Sequence, residues 1–212
     1  ARFSDPDNRS SLMGALADPE LSGAAGENPG GIWRGVRIHE TGPIAIRYFR
    51  SVCLDANPSR ARLSMRCVFD SPDGGSVVLR TRVAGHEHEQ THSAAAGENR
   101  VEWTFDVPAP ELWWPHSLGD QSLHDLRCDV MVADEIHDSR EVRVGFRTVA
   151  FKNWVLRVNG EPLFLKGAGM LPTTPRPGDA TEQQVRGDVG AAVEAGLDFI
   201  RVIAHIARPE LY

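Results

Sequence analysis

Arg201 and His205 are the residues of this sequence best placed to do chemistry, in the segment AGLDFIRVIAHIARPELY at 195–212. Leu197, Phe199 and Arg201 share one parity of an apolar strand, and Ile200 and Val202 share the other. In a parallel barrel one parity faces the interior, and active sites lie at the C-terminal ends of the strands. Arg201 then points inward near that end. A buried guanidinium needs carboxylate partners, so Arg201 either serves a reacting carboxylate or pairs with a structural acid on a neighbouring strand. His205, in the loop that follows, either faces the same cleft or lies on the surface.

A second constellation is HEHEQTH at 86–92. His86, His88 and His92 share a parity, so a strand places them on one face, and imidazoles at that spacing can hold zinc. No fourth ligand or supporting shell is visible. Glu87, Glu89 and Thr91 make the other face polar as well, which fits an edge strand carrying charge against unwanted pairing. The expectation is no metal. Trp33, Trp103, Trp113, Trp114 and Trp154 could stack on sugars, but tryptophans in alternating strands read as core. Trp113-Trp114-Pro115 reads as a strand-end cluster packed between domains.

Hydrolysis of a glycoside by retention needs two carboxylates about 5–5.5 Å apart. The acids after residue 163 are Asp179, Glu182, Asp188, Glu194, Asp198 and Glu210. They read as cap, helix surface, strand start or loop, and none ends a barrel strand. No Ser-His-Asp set, phosphate loop or metal triad appears, and no cofactor is expected. Cys53, Cys67 and Cys128 are odd in number and lack metal or redox spacing. They read as buried free thiols, although Cys67 with Cys128 is possible as an inter-sheet disulfide. This favours a reducing, cytoplasmic location, with a secreted one as the alternative.

The chain has 212 residues, 41% hydrophobic and 25% charged, with net charge −6. That balance argues against a nucleic-acid surface, which needs clustered Lys and Arg. No run approaches the roughly 18 apolar residues of a membrane span. The start, Ala-Arg-Phe-Ser, has no initiator Met and no leader pattern, and reads as processed or cut from something longer.

The elements that would position these residues fall into two grammars. Residues 1–27 have little pattern. From about 43, short alternating strands follow one another with turns between: IAIRYFRSVCL, ARLSMRCVFD, SVVLRTRVAG, VEWTFDV, LHDLRCDVMVAD and HDSREVRVGFRTVAF. Around seven strands in about 110 residues, with no helix, predict a β-sandwich of immunoglobulin-like size. WVLRVNGEPLFLKG is a hairpin about Asn159-Gly160. The grammar then changes. Thr181 with Gln184 forms a capping box, and Val185, Val189, Ala192 and Val193 form a helical stripe. Gly196 suits the helix end. Strand Leu163–Lys166, loop, helix and strand Leu197–Ile203 make one βαβ unit, and the switch near 163 is the clearest boundary.

Four stretches in order, NPGGIWRGVRIHETGPI, ELWWPHSLGDQSLHDLRCDV, VGFRTVAF with VLRVNGEPLFLKGAGMLP, and AGLDFIRVIAHIARPELY, resemble glycoside hydrolase family 2 on its β-mannosidase-like side. The resemblance covers about residues 28–212. It implies residues 1–41 as the tail of a jelly-roll sugar-binding domain and 42–150 as a complete immunoglobulin-like sandwich. Residues 151–212 become a lead-in hairpin and the first two strands of a (β/α)8 barrel. It implies a retaining exo-glycosidase whose two glutamates lie beyond Tyr212. Arg201 matches the arginine of barrel strand two that supports the nucleophile from beneath. Gly169 and Met170 stand where the β-mannosidase branch has Asn and Trp, a departure that leaves β-mannoside specificity unassigned. The stretch after Arg201 also lacks the family's Gly-Gly-Gly or Ser-His-Tyr run. Gly169, Met170 and His205 are the substrate-binding candidates.

Two readings follow. One is a fragment of a family 2 glycosidase, inactive by itself, with a carbohydrate substrate in the parent enzyme and no nucleic-acid or membrane partner. The other is an independent sandwich module that binds carbohydrate or protein. The βαβ unit favours the first, since a free-standing module has no use for it. An incomplete barrel also leaves edges and apolar faces open to self-association.

Overall fold

The structure, a computed structural model, describes residues 32, 35–174, 179–203, 207 and 211. The chain divides into two compact units, one of His39–Phe164 and a second that includes Leu165–Tyr212.

The first unit is built on seven antiparallel strands, the number the alternation predicts. These are β1 (Ala45–Asn57), β2 (Arg60–Ser71), β3 (Gly75–Val83), β4 (His86–Ala94), β5 (Gly97–Pro108), β6 (His124–Val132) and β7 (Glu135–Val144). They form two sheets, ordered β1-β2-β5 and β4-β3-β6-β7. Period-2 patterning explains the sandwich. In β2 the residues Ala61, Leu63, Met65, Cys67 and Phe69 are fully buried, while Arg62, Ser64 and Arg66 face outward. Leu79, Leu126 and Phe146 join them in one core. The outer face carries cross-strand ion pairs, among them Arg62 Nε to Asp106 Oδ1 at 2.8 Å and Arg66 Nε to Glu102 Oε1 at 2.6 Å. Such exposed pairs contribute ~0–1 kcal/mol each, so burial carries the stability.

The two sheets are closed along the β1 and β7 side by a buried polar clamp. His137 forms a bulge between the pairs Val130↔Asp138 and Met131↔Ile136. The bulge turns Asp138 inward, where Oδ2 accepts the Ile46 N–H at 2.7 Å. Arg140 donates to the Ile46 carbonyl at 2.6 Å and to Asp138 at 2.8 Å, and His39 Nε2 lies 2.9 Å from Asp138 Oδ1. Burial pushes the Asp138 carboxyl up, but hydrogen bonds from His39, Ile46 and Ser139 and the Arg140 charge outweigh it, holding it below the ordinary range.

A small sheet of β8 (Val149–Lys152), β9 (Val155–Val158) and β10 (Glu161–Leu163) completes the first unit. Two-residue turns join its strands, Asn153-Trp154 at φ 51° and 63° and Asn159-Gly160 at 51° and 90°. Positive φ at both centres is the hairpin geometry that matches strand twist. Asn159 also ties this sheet to the sandwich. Its side chain accepts the Thr148 N–H at 2.9 Å and donates to the Trp113 carbonyl at 2.9 Å. The Thr148 hydroxyl accepts from Ala56 N–H at 2.6 Å.

One expectation about tryptophan needs correction. Trp103 is buried in the core, but Trp154 is 91% exposed, because the turn it forms leaves its ring outside the sheet. Trp113 packs within the first unit, under the guanidinium of Arg147 at 4.7 Å. Trp33 lies outside the described residues.

The second unit holds β11 (Gly167–Met170), helix α1 (Glu182–Glu194) and β12 (Phe199–Val202), with β11 and β12 parallel. The capping box is present: the Thr181 hydroxyl accepts the Gln184 N–H at 3.2 Å and Gln184 Oε1 accepts the Thr181 N–H at 2.9 Å. The helix ends in a Schellman arrangement, with Gly196 at φ 69° donating to the Val193 carbonyl and Leu197 to that of Ala192. The first parallel strand is not Leu163–Lys166. Leu163 ends β10, held there by the Asn159-Gly160 turn, and the strand begins four positions later.

Candidate functional site

The site is the β11–β12 pair. Its register sets Gly167 beside Phe199, Gly169 beside Arg201 and Met170 beside Val202. The helix between the strands is what makes the pairing parallel. Gly167 and Gly169 are required by their neighbours. A Cβ on Gly167 would lie 2.3 Å from the Phe199 ring, and one on Gly169 would lie 2.4 Å from Ile203 Cδ1. Glycine lowers strand propensity, but here it lets the larger side chains of β12 cross over β11.

Phe199, Arg201 and Ile203 therefore share a face with the two glycines and line a hollow of about 370 Å³. The Phe199 and Arg201 side chains are exposed in it. Arg201 has no ion pair among the described residues. The parity expected for Arg201 holds in this hollow, whereas the burial expected for it is not met in the described residues. Met170 is half-buried on the opposite parity, and its carbonyl accepts the Ile203 N–H at 3.0 Å. His205 lies outside the described residues.

Acids near this unit occupy structural places. Asp198 is buried at the N-terminal start of β12, 3.5 Å from Lys166 Nζ. Asp188 on α1 accepts from the Thr173 hydroxyl at 2.7 Å and holds the loop after β11. Glu182 pairs with Arg186 one turn on. Among the described residues of β11 and β12, no carboxylate accompanies Arg201 at the C-terminal ends.

The histidine row lies on β4, an edge strand as expected, but it does not face solvent on both sides. His86, His88 and His92 are half-buried, and the glutamates between them are exposed. His88 stacks on Phe105 at 5.5 Å and His92 meets Phe69 edge-on at 6.2 Å. Sequence parity identified this face, but whether it turned inward depended on Phe105 and Phe69 of the other sheet. No three His, Cys, Asp or Glu side chains among the described residues gather to hold a metal ion. Among those residues no helix is long and apolar enough to cross a membrane.

Residues 48–147 match the family model of glycosyl hydrolases family 2. An exo-beta-D-glucosaminidase of Hypocrea jecorina is 28% identical over 161 residues, covering 68% of this chain and 18% of the relative. A beta-mannosidase B of Emericella nidulans is 26% identical over 152 residues, covering 67% of this chain and 18% of the relative. In fold, a glycosyl hydrolase family 2 member from Bacteroides cellulosilyticus superposes with a TM-score of 0.73 at 19% identity. That match covers 81% of this chain and 23% of the neighbour. The chain thus spans less than a fifth of the length of these two curated relatives.

Proposed function

We propose that this chain, whose residues 48–147 belong to glycosyl hydrolases family 2, is the part of a retaining exo-glycosidase that leads into its catalytic barrel. The observation that carries the reading is the parallel pairing of Gly169 with Arg201 across helix α1, which follows the sandwich and its three-stranded hairpin sheet in the chain. Strand, helix and parallel strand is the repeating unit of a (β/α)8 barrel, and Arg201 then stands toward the C-terminal end of strand two.

The reaction cleaves an O-glycosidic bond with two carboxyl groups. One protonates the leaving oxygen, and the other attacks the anomeric carbon to form a glycosyl-enzyme that water releases. Both groups belong to polypeptide beyond Tyr212. Arg201 is a positioning residue for the nucleophile. A guanidinium on the interior face of a barrel strand stabilises an ionised carboxylate and keeps its pKa low. Gly169 leaves room beside that guanidinium. The names of the relatives support a β-linked mannose or glucosamine residue as the group removed.

The test uses the parent enzyme. Arg201→Ala should lower kcat roughly 10²–10³-fold with little change in KM, since it acts on the transition state and not on the sugar's outer hydroxyls. The acid limb of the pH–rate profile should move upward as the nucleophile loses its cation. A normal kcat with an unmoved acid limb would reduce Arg201 to a structural ion pair. The 212-residue chain alone should not turn over aryl β-mannosides or β-glucosaminides.

A further inference from the structure

Cys67 on β2 and Cys128 on β6 lie in facing sheets and are both fully buried in the same core. Each is on an inner strand, β2 between β1 and β5 and β6 between β3 and β7. Neither is linked, and Cys67 is the foremost influence on the Cys128 thiol. The second and sixth strands are those that an inter-sheet disulfide joins in antibody domains. Cys53 is apart from them, half-buried on β1 with its thiol directed to the Asp55 carbonyl at 3.5 Å.

We infer that Cys67 and Cys128 are a modification site, an oxidisable pair that closes to an inter-sheet disulfide by exchange with a small-molecule disulfide while the sandwich folds, and not afterwards. The ordering follows from access and ionisation. Exchange requires a thiolate that can reach the incoming sulfur. In the folded sandwich both sulfurs are out of reach. Neighbouring Cys67, burial and the Asp129 charge push the Cys128 thiol far up, with Thr81 acting the other way. In the unfolded chain both thiols are accessible with ordinary acidity.

The exchange balances in two steps. One protein thiolate attacks oxidised glutathione, forms a mixed disulfide and releases one glutathione thiolate. The second protein thiolate attacks the protein sulfur of that mixed disulfide and releases the other glutathione. Two protein thiols are oxidised to one disulfide, one glutathione disulfide is reduced to two thiols, and the two protons pass to the departing thiolates. Linking β2 to β6 closes a loop of roughly 60 residues, which removes much unfolded-state freedom.

The experiment refolds the reduced 212-residue chain from denaturant in reduced and oxidised glutathione, then counts thiols by alkylation and intact mass. Of the three thiols, one should alkylate, at Cys53, and peptide mapping should join Cys67 to Cys128. The thermal midpoint should rise by on the order of 10 °C and fall back with reductant. Oxidised glutathione added to the folded, reduced chain should leave all three thiols alkylatable after unfolding. Cys53→Ser should close in the same way, which keeps the test independent of variants at the buried pair. Three free thiols after oxidative refolding, a link through Cys53, or a midpoint that does not rise would overturn the pair. Prompt closure in the folded chain would overturn the ordering.

Discussion

The sandwich and the βαβ unit satisfy their apolar surfaces in opposite ways. In the sandwich, both inner faces meet each other, and Leu63, Phe69, Leu79 and Leu126 are fully buried. In the βαβ unit, Val185 is the buried residue of the helix, while Val193 and Phe199 are 48% and 44% exposed. Local rules are obeyed equally well in both, with complete caps on α1 and complete ladders in the sheets. Among the described residues, the difference is whether a second layer covers the apolar face. Local signals specify an element, but a second apolar face is what stabilises it, since each large side chain gains roughly 1.5–3 kcal/mol when covered.

The largest test of this contrast exchanges one aromatic in each unit. Phe69→Ala should cost the sandwich roughly 3–5 kcal/mol, read from urea unfolding followed by Trp103 fluorescence. Phe199→Ala should alter that transition by less than about 0.5 kcal/mol. Equal losses would mean that the sandwich draws stability from the second unit.

Asp138 gives a somewhat smaller effect and a pH signature. Its folded pKa is depressed, so its contribution is fully present above the unfolded carboxylate value near about 4. It is lost as pH falls through the lower folded value. Asp129, pushed up by burial but held lower overall by Ser139, Arg127 and Arg82, adds in the same direction. Asp138→Asn should cost roughly 2–4 kcal/mol at neutral pH, because Arg140 loses its buried partner. The stability of the variant should also fall less steeply below pH 4. A variant as acid-sensitive as the parent would assign that sensitivity elsewhere.

The smallest effect is local to the second unit. Thr181→Ala removes the hydroxyl that accepts the Gln184 N–H and should cost about 1 kcal/mol of helix stability. It should appear as faster amide exchange across Glu182–Glu194 with no change in the sandwich. Slowed exchange would show that the cap does not limit this helix.

What the sequence made legible was what neighbouring residues decide. Thr181 with Gln184, Gly196, and Asn159-Gly160 each complete a motif within a few positions. The strands of the sandwich were legible because alternation repeats over nine or more residues in β2 to β5. The first parallel strand was placed too early because Gly167 and Gly169 do not look like strand. Their reason lies at Phe199 and Ile203, more than thirty positions later. Trp154 looked like core because its residue type outweighed its place in a two-residue turn. At the candidate site, parity put Arg201 on the face of the hollow, but the surroundings of its guanidinium depend on other strands and could not be read from its own.

Asn159 has a consequence for how this protein is made. The ribosome delivers Ala56 and Trp113 long before Thr148 and Asn159, which satisfy them from 92 and 46 residues further along. Until the hairpin emerges from the exit tunnel, the Ala56 amide and the Trp113 carbonyl have only water for company. A nascent chain halted short of residue 148 can zip its ladders but lacks both knots, and the arrival of one asparagine marks the moment at which that end of the sandwich is tied off.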